Sequence, residues 1–254
     1  NLCFPGLFTG ELPLQCCSKE YIYTTTQWGS VQKVVRISLA NGEVSLVNVD
    51  IIRSSGQSSE SLASQQLMCI DIDGGAILTE SAPNRPAIVG YVSPRSLERK
   101  NVSRKVEGTL VAEMGPISAS SFTPTPEREV LGLLNYNYEV FLMSTPPLES
   151  AKEDDETPVQ WIFLKPPRRD STLPPLIVVP HGGPHSCTPT TYIPAYAFLC
   201  AKGYAILHVN YRGSTGFGQR ALESLPGNVG KLDVKDVVHA VETITGSGWV
   251  DKNR

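Results

Sequence analysis

Two short stretches limit the fold more than anything else in this chain: LIVVP (Leu176–Pro180) and YAILHVN (Tyr204–Asn210). Each is an apolar run with few polar positions, the pattern of a strand covered on both faces. Between them, Pro189–Gly203 carries apolar residues at helical spacing. It ends on Lys202-Gly203, a cation in the last turn followed by a glycine stop, and Pro194 delays its start. Strand, helix and strand in succession imply a parallel pair with a helical crossover, hence a sheet with helices on its faces. Val159–Pro167 reads as a preceding strand. Lys231–Ile244 reads as a second helix with Val234, Val237, Val238, Val241 and Ile244 on one face. Gly248–Arg254 looks like the lead-in to a further strand.

The first 145 or so residues have a different texture. Tyr21–Gln27 and Val31–Leu39 are β-branched and aromatic. Asn41-Gly42 is a hairpin turn signal, and Glu43–Val49 reads as the returning strand. Leu67–Asp73, the turn at Gly74-Gly75, Ala76–Ser81 and Pro86–Val92 form a similar unit, offset by about 45 residues, which suits four-stranded propeller blades. A sandwich also fits short antiparallel strands. Thr145–Pro158, with three prolines and the charged run Lys152–Glu156, reads as a loop or linker. It divides the chain into residues 1–150, with strands and turns, and residues 151–254, with the start of a parallel sheet.

The 254 residues carry a net charge of −3 with 19% charged residues and no arginine-rich face, so nucleic acid is not expected as a partner. No apolar run is long enough to span a bilayer. The six cysteines show no zinc-site spacing. Cys69 and Cys200 read as small core residues, while the adjacent Cys16-Cys17 leaves a redox role open. Asn101-Val102-Ser103 is a chance match to a glycosylation acceptor.

The chemistry concentrates in two glycine-rich loops. His181-Gly182-Gly183-Pro184 leaves the first apolar strand, and Tyr211–Gly218 (YRGSTGFG) leaves the second. Loops at the carboxyl ends of parallel strands are where such sheets bind ligands. Gly182 and Gly183 have no side chains to shield their N–H groups, so the turn suits either an oxyanion cradle or a tight bend with no ligand. Neither a P-loop nor a dinucleotide fingerprint is present. His181 and His185 do not share a helix face, which argues against a metal. His208 reads as a core histidine and His239 as a solvated one. Arg212 is a candidate substrate-side residue or a brace for neighbouring backbone. Asp233 and Asp236 suit the start of a helix. A serine hydrolase on this fold needs G-x-S-x-G. Ser214 in RGSTG stands one place early, and Ser186 lacks the motif.

PHGGPHS (Pro180–Ser186), NYRGSTGFGQ (Asn210–Gln219) and LPGNVGKLDVKDV (Leu225–Val237) together resemble the acylaminoacyl peptidases, also called acyl-peptide hydrolases, within the prolyl oligopeptidase family of serine peptidases. Phe4–Ser18 and the strands after it resemble that family's last propeller blades more loosely. The resemblance implies the C-terminal blades of a β-propeller over residues 1–150. Residues 151–254 would then be the N-terminal part of an α/β-hydrolase domain. It implies a cytoplasmic enzyme without a cofactor, acting on short N-acylated peptides through an acyl-enzyme, and leaves a homo-oligomeric parent open. Gly183 matches the glycine whose N–H helps form the oxyanion hole, with Gly182 its neighbour. Trp249–Arg254 is similar to the segment just before the nucleophile strand, so the Ser/Asp/His triad is expected after Arg254 and this chain alone is expected to be inactive. A related dipeptidyl peptidase or oligopeptidase, or a non-catalytic binding module, is the alternative.

Overall fold

The computed structural model describes residues 4–9, 12–13, 15–47, 49–52, 62–97, 106–113, 136–145, 157–167 and 172–254. The glycosylation triplet at Asn101 and most of the proline-rich segment after Thr145 lie outside them.

β1 (Tyr21–Trp28) and β2 (Val31–Ser38) form a hairpin closed by Gly29 and Ser30, with Trp28 opposite Val31. At the Asn41-Gly42 turn the Gly42 N–H donates to the Ser38 carbonyl, and β3 (Val44–Leu46) returns along β2. The strand expected over Glu43–Val49 is broken. β4 (Val49–Ile52) leaves this sheet and pairs in parallel with β8 (Val106–Glu113) of the next. Val47 and Val49 both sink into the core shared by the two sheets, so the chain crosses between the sheets there. β5 (Ser64–Ile70), β6 (Ala76–Ala82), β7 (Arg85–Val92) and β8 run as an antiparallel meander, followed after β7 by the short helix α1 (Pro94–Leu97). β6 alternates strictly, with Ala76, Leu78, Glu80 and Ala82 buried, as a strand packed on one face requires. The inward Glu80 carboxylate accepts from Gln65 Nε2 at 2.8 Å and pairs with Arg85 at 3.3 Å.

The second half is a mixed sheet in the order β11-β12-β10-β9. β10 (Thr157–Lys165) runs antiparallel to both its neighbours, β9 (Asn137–Thr145) and β12 (Ala205–Asn210), and β11 (Leu176–Pro180) runs parallel to β12. β9 pairs with β10 along its whole length, so this sheet starts at Asn137, ahead of the boundary drawn at residue 150. Helices cover both faces. α2 (Pro194–Ala201) starts with Pro194 in the first turn, where a missing N–H costs nothing. α3 (Gln219–Glu223) and α4 (Leu232–Gly246) follow β12. Ala205, Leu207 and Val209 pack with Trp161, Phe163, Ala240 and Ile244 on one face, while Ile206 packs with Ile162, Ala197 and Cys200 on the other. β12 is buried throughout, as an apolar central strand should be. β11 is only partly buried, because it lies at the edge of this sheet.

The buried stripe of α4 is Leu232, Asp236, Ala240 and Ile244, and the valine face read from sequence is displaced from it: Val234 and Val238 are 50% and 48% exposed. A carboxylate occupies an inward position that the apolar pattern could not reveal, for a reason given by the loops below.

Candidate active-site loops

β11 and β12 run side by side with Pro180 opposite Val209, so the two glycine-rich loops leave the same edge of the sheet as neighbours. Four contacts join them. The Tyr211 hydroxyl donates to the His181 carbonyl at 2.8 Å, and His181 Nε2 lies 2.7 Å from Ser214 Oγ. His185 Nδ1 donates to the Gly213 carbonyl at 2.8 Å, and the Thr215 N–H donates to the Ser186 carbonyl at 2.8 Å. The His181 ring also stacks on Tyr211 with centroids 4.4 Å apart. Asn210, at the end of β12, adds a two-way clasp: its side-chain oxygen accepts from the Thr188 N–H at 2.8 Å and its amide donates to the Thr188 carbonyl at 3.0 Å.

At the tip of the first loop Gly182 and Gly183 are exposed. Among the described residues neither N–H meets a hydrogen-bond acceptor. Gly183 has φ of 133°, a region that favours glycine, and a Cβ there would press on Ser186 Cβ at 3.0 Å. The turn thus offers two backbone donors that no side chain covers.

Ser214 and His181 have the spacing of a nucleophile and its base. They are a brace instead. Ser214 is fully buried, and its hydroxyl lies between His181 Nε2 and the Tyr211 carbonyl at 2.6 Å. Nδ1 of the ring faces the Gly182 carbonyl at 3.0 Å, where a catalytic histidine would face a carboxylate. Burial lowers the His181 pKa and so favours the neutral ring, and the Gly182 carbonyl offsets this in part.

Arg212 points away from the cleft into the fold. Its Nε lies 3.1 and 3.0 Å from the two oxygens of Asp236, its other guanidinium nitrogen 2.7 Å from Oδ1, and its own backbone N–H 2.9 Å from Oδ2. This pair explains the inward carboxylate of α4. Each histidine of the first loop spends Nδ1 on a backbone carbonyl, and among the described residues no three His, Cys, Asp or Glu side chains converge as a metal site would require. His208 packs edge-on against Tyr196 in the core, 4.6 Å between centroids, and burial lowers its pKa to about 4. Cys200 is buried with its thiol pushed up to about 12, and burial pushes Cys187 up as well, so both are poor nucleophiles. Cys16 and Cys17 place their sulfurs 3.7 Å apart.

The first half of the chain reaches these loops. The Gly29 N–H donates to the Gly216 carbonyl at 2.7 Å, and the Thr190 N–H donates to the Ser30 carbonyl at 2.7 Å. Ser64 and Thr190 share a hydroxyl contact of 2.9 Å, and the Ser30 N–H donates to Gln160 of β10 at 2.8 Å. The β1–β2 turn therefore sits as a wedge touching both glycine-rich loops. Sequence reasoning missed this turn and the Asn210 clasp, and gave Asp236 only a helix-start role. A Gly-Ser pair between two strands is a turn signal, but nothing local says what the turn will touch.

Residues 191–254, which hold the second loop and α4, match the model of the prolyl oligopeptidase family. The acylamino-acid-releasing enzyme of Rattus norvegicus is 33% identical over 263 residues, 99% of this chain. The chain is homologous to the acylamino-acid-releasing enzymes. It spans 31% of the rat enzyme's length. The fold agrees with solved structures of that kind: an acylaminoacyl peptidase of Pyrococcus horikoshii superposes with a TM-score of 0.62 at 18% identity, over 94% of this chain and 31% of that one. A puromycin hydrolase superposes with a TM-score of 0.61 at 18% identity, over 98% of this chain and 32% of that one. The match to the acylamino-acid-releasing enzymes runs through both glycine-rich loops and the sheets that precede them. Among the described residues no helix is long and apolar enough to cross a membrane.

Proposed function

We propose that this chain is part of a serine peptidase that releases an N-acylated amino acid from the N-terminus of short blocked peptides, and that Gly183 and Gly182 form one side of its oxyanion hole. The observation that carries the reading is the pair of exposed, unshielded glycine N–H groups at the carboxyl edge of a parallel pair, held from the second loop by four contacts. Two donors fixed in advance stabilise the charge that develops on a carbonyl oxygen during acyl transfer, and one such donor is worth about 10²–10³ in rate. Arg212 takes the role of a loop brace. The triad serine, acid and histidine are supplied by residues that follow Arg254 in the natural polypeptide. The Leu176 N–H at the start of β11 donates to the Arg254 carbonyl at 3.1 Å, which places Arg254 beside the outer strand of this sheet. The sheets β1–β3 and β4–β8 are blades of a propeller that limits substrate size.

Fluorophosphonate labelling tests this. The complete natural polypeptide should be labelled on a serine beyond Arg254, and residues 1–254 alone should not be labelled. Labelling of Ser214 or Ser186 would refute the assignment.

A second reading is a peptidase of the same fold that prefers a free amino terminus, since the superposition on the puromycin hydrolase is as close as that on the acylaminoacyl peptidase. Relative rates on acetylated and free-amine substrates separate the two.

A further inference from the structure

Cys16 and Cys17 are adjacent, and along a regular strand adjacent side chains point to opposite faces. Here they converge, with the two sulfurs 3.7 Å apart. Backbone bonds on either side hold this arrangement. The Gln15 carbonyl accepts from the Ile70 N–H at 2.6 Å, at the end of β5, and the Cys16 carbonyl accepts from the Tyr23 N–H of β1 at 2.7 Å. Cys17 bridges to Ile22, and the Ser18 N–H donates to the Tyr21 carbonyl at 2.8 Å. Tyr23 and Ile70 belong to the core shared by the two sheets, so the paired thiols stand on a packed support. The two differ in access: Cys17 is exposed and Cys16 is buried. Burial first, and the adjacent Cys17 thiol second, push the Cys16 pKa up.

We propose that Cys16 and Cys17 are a site of reversible oxidation by hydrogen peroxide, closing a disulfide between adjacent residues that loosens the attachment of this segment to β1. Cys17 is the sulfur that a peroxide in solution reaches. Its thiolate attacks one peroxide oxygen, the O–O bond breaks, and the departing hydroxide takes up a proton and leaves as water. Cys17 is then a sulfenic acid. The Cys16 sulfur attacks the Cys17 sulfur, an S–S bond forms and the S–O bond breaks. The Cys16 thiol proton leaves with the hydroxyl as a second water. Two thiols are oxidised to one disulfide, and the peroxide is reduced to two waters. Burial shields Cys16 from the peroxide and keeps it available to resolve its neighbour.

The product differs from a structural disulfide. Adjacent Cα atoms lie about 3.8 Å apart across a trans peptide, short of the roughly 4.4–6.8 Å that a relaxed disulfide spans. The ring closes only by distorting the Cys16-Cys17 peptide, so thiols reduce it readily. The Cys16 carbonyl is part of that peptide, and the distortion falls on its bond to Tyr23. A ring between adjacent residues barely restricts the unfolded chain, so little entropic gain offsets the loss.

The test uses the complete natural polypeptide carrying Cys3→Ser, which removes another cysteine from the same proteolytic peptide. After hydrogen peroxide treatment, the peptide holding Cys16 and Cys17 should lose two hydrogen atoms by mass and resist thiol alkylation. Dithiothreitol should restore both thiols. The urea midpoint of the oxidised protein should lie below that of the reduced protein and return on reduction. In Cys16→Ser, Cys17 should stop at the sulfenic acid and be trapped by dimedone. Phenylarsine oxide, which bridges paired thiols, should block both cysteines of the otherwise native protein together, a readout that needs no substitution at the pair. Two thiols that stay alkylatable after peroxide, sulfinic acid accumulating on Cys17 while Cys16 is present, a disulfide from either sulfur to another cysteine, an unchanged or raised urea midpoint, or failure of the arsenical to block the pair would each overturn the proposal.

Discussion

Gly29 and Gly216, 187 positions apart in the chain, share a hydrogen bond of 2.7 Å between the N–H of one and the carbonyl of the other. A Cβ on Gly216 would stand 2.8 Å from the Gly29 oxygen and 2.7 Å from Gln27 Cγ. Gln27 itself donates to the Gly29 carbonyl at 2.8 Å, so the turn is held rigid from its own side. The loop leaving β12 is therefore shaped for the first sheet as much as for a substrate.

Replacing Gly216 with alanine should drive the wedge from the loop. Gly218 makes a matched control: its φ of 92° nearly equals the 90° of Gly216, but nothing lies within 4 Å of its Cβ position. Both variants carry the strain of a left-handed alanine, about 1–2 kcal/mol. Only Gly216→Ala adds the clash, so its urea midpoint should fall clearly further than that of Gly218→Ala. Equal falls would mean that the two halves of the chain do not press on one another here.

The Arg212–Asp236 pair makes a second prediction. The two side chains are 7% and 3% exposed. Asp236→Ala would strand a buried guanidinium and should cost about 3–5 kcal/mol. The double variant Arg212→Met with Asp236→Leu should recover much of that loss in chemical denaturation. If Asp236→Ala costs under about 1 kcal/mol, Arg212 is not held as described.

His208 should make the fold sensitive to acid. Its folded pKa of about 4 lies below the ordinary 6.5 because burial disfavours the charged ring. The unfolded chain binds the proton more readily, so the stabilisation is complete above pH 6.5 and is lost as pH falls through 6.5 toward 4. The span is on the order of 3 kcal/mol. Urea midpoints measured across that range should fall less in His208→Leu than in the native sequence. An unchanged slope would assign the acid sensitivity to other groups.

Ser214→Ala removes a buried hydroxyl that donates to the Tyr211 carbonyl and lies 2.7 Å from His181 Nε2, and should destabilise by about 1–3 kcal/mol. It should not abolish fluorophosphonate labelling of the complete polypeptide. Loss of labelling in a folded Ser214→Ala protein would reopen Ser214 as a nucleophile.

The parallel pair, its crossover helix and both glycine-rich loops were legible because each is a local pattern: an apolar run, a helical spacing, a glycine cluster. Their placement at one edge followed from the direction of the strands. What escaped was whatever depends on partners distant in sequence. Nothing in Asn137–Thr145 says that it pairs with β10, and nothing in Val49–Ile52 says that it joins β8. Asp236 looked like a helix-start carboxylate because its partner Arg212 lies on another element. His181 stood beside the glycines from the start, but only the folded loops show that its ring stacks on Tyr211 and meets Ser214 of the second loop.

The central claim is an acyl-specific peptidase whose oxyanion turn lies in this chain and whose nucleophile follows it. Turnover of an acetylated amino-acid anilide, compared with its free-amine counterpart, tests it most directly. The complete natural polypeptide should hydrolyse the acetylated substrate at least tenfold faster, and residues 1–254 alone should hydrolyse neither. Preference for the free amine, or turnover by residues 1–254 alone, would contradict the account.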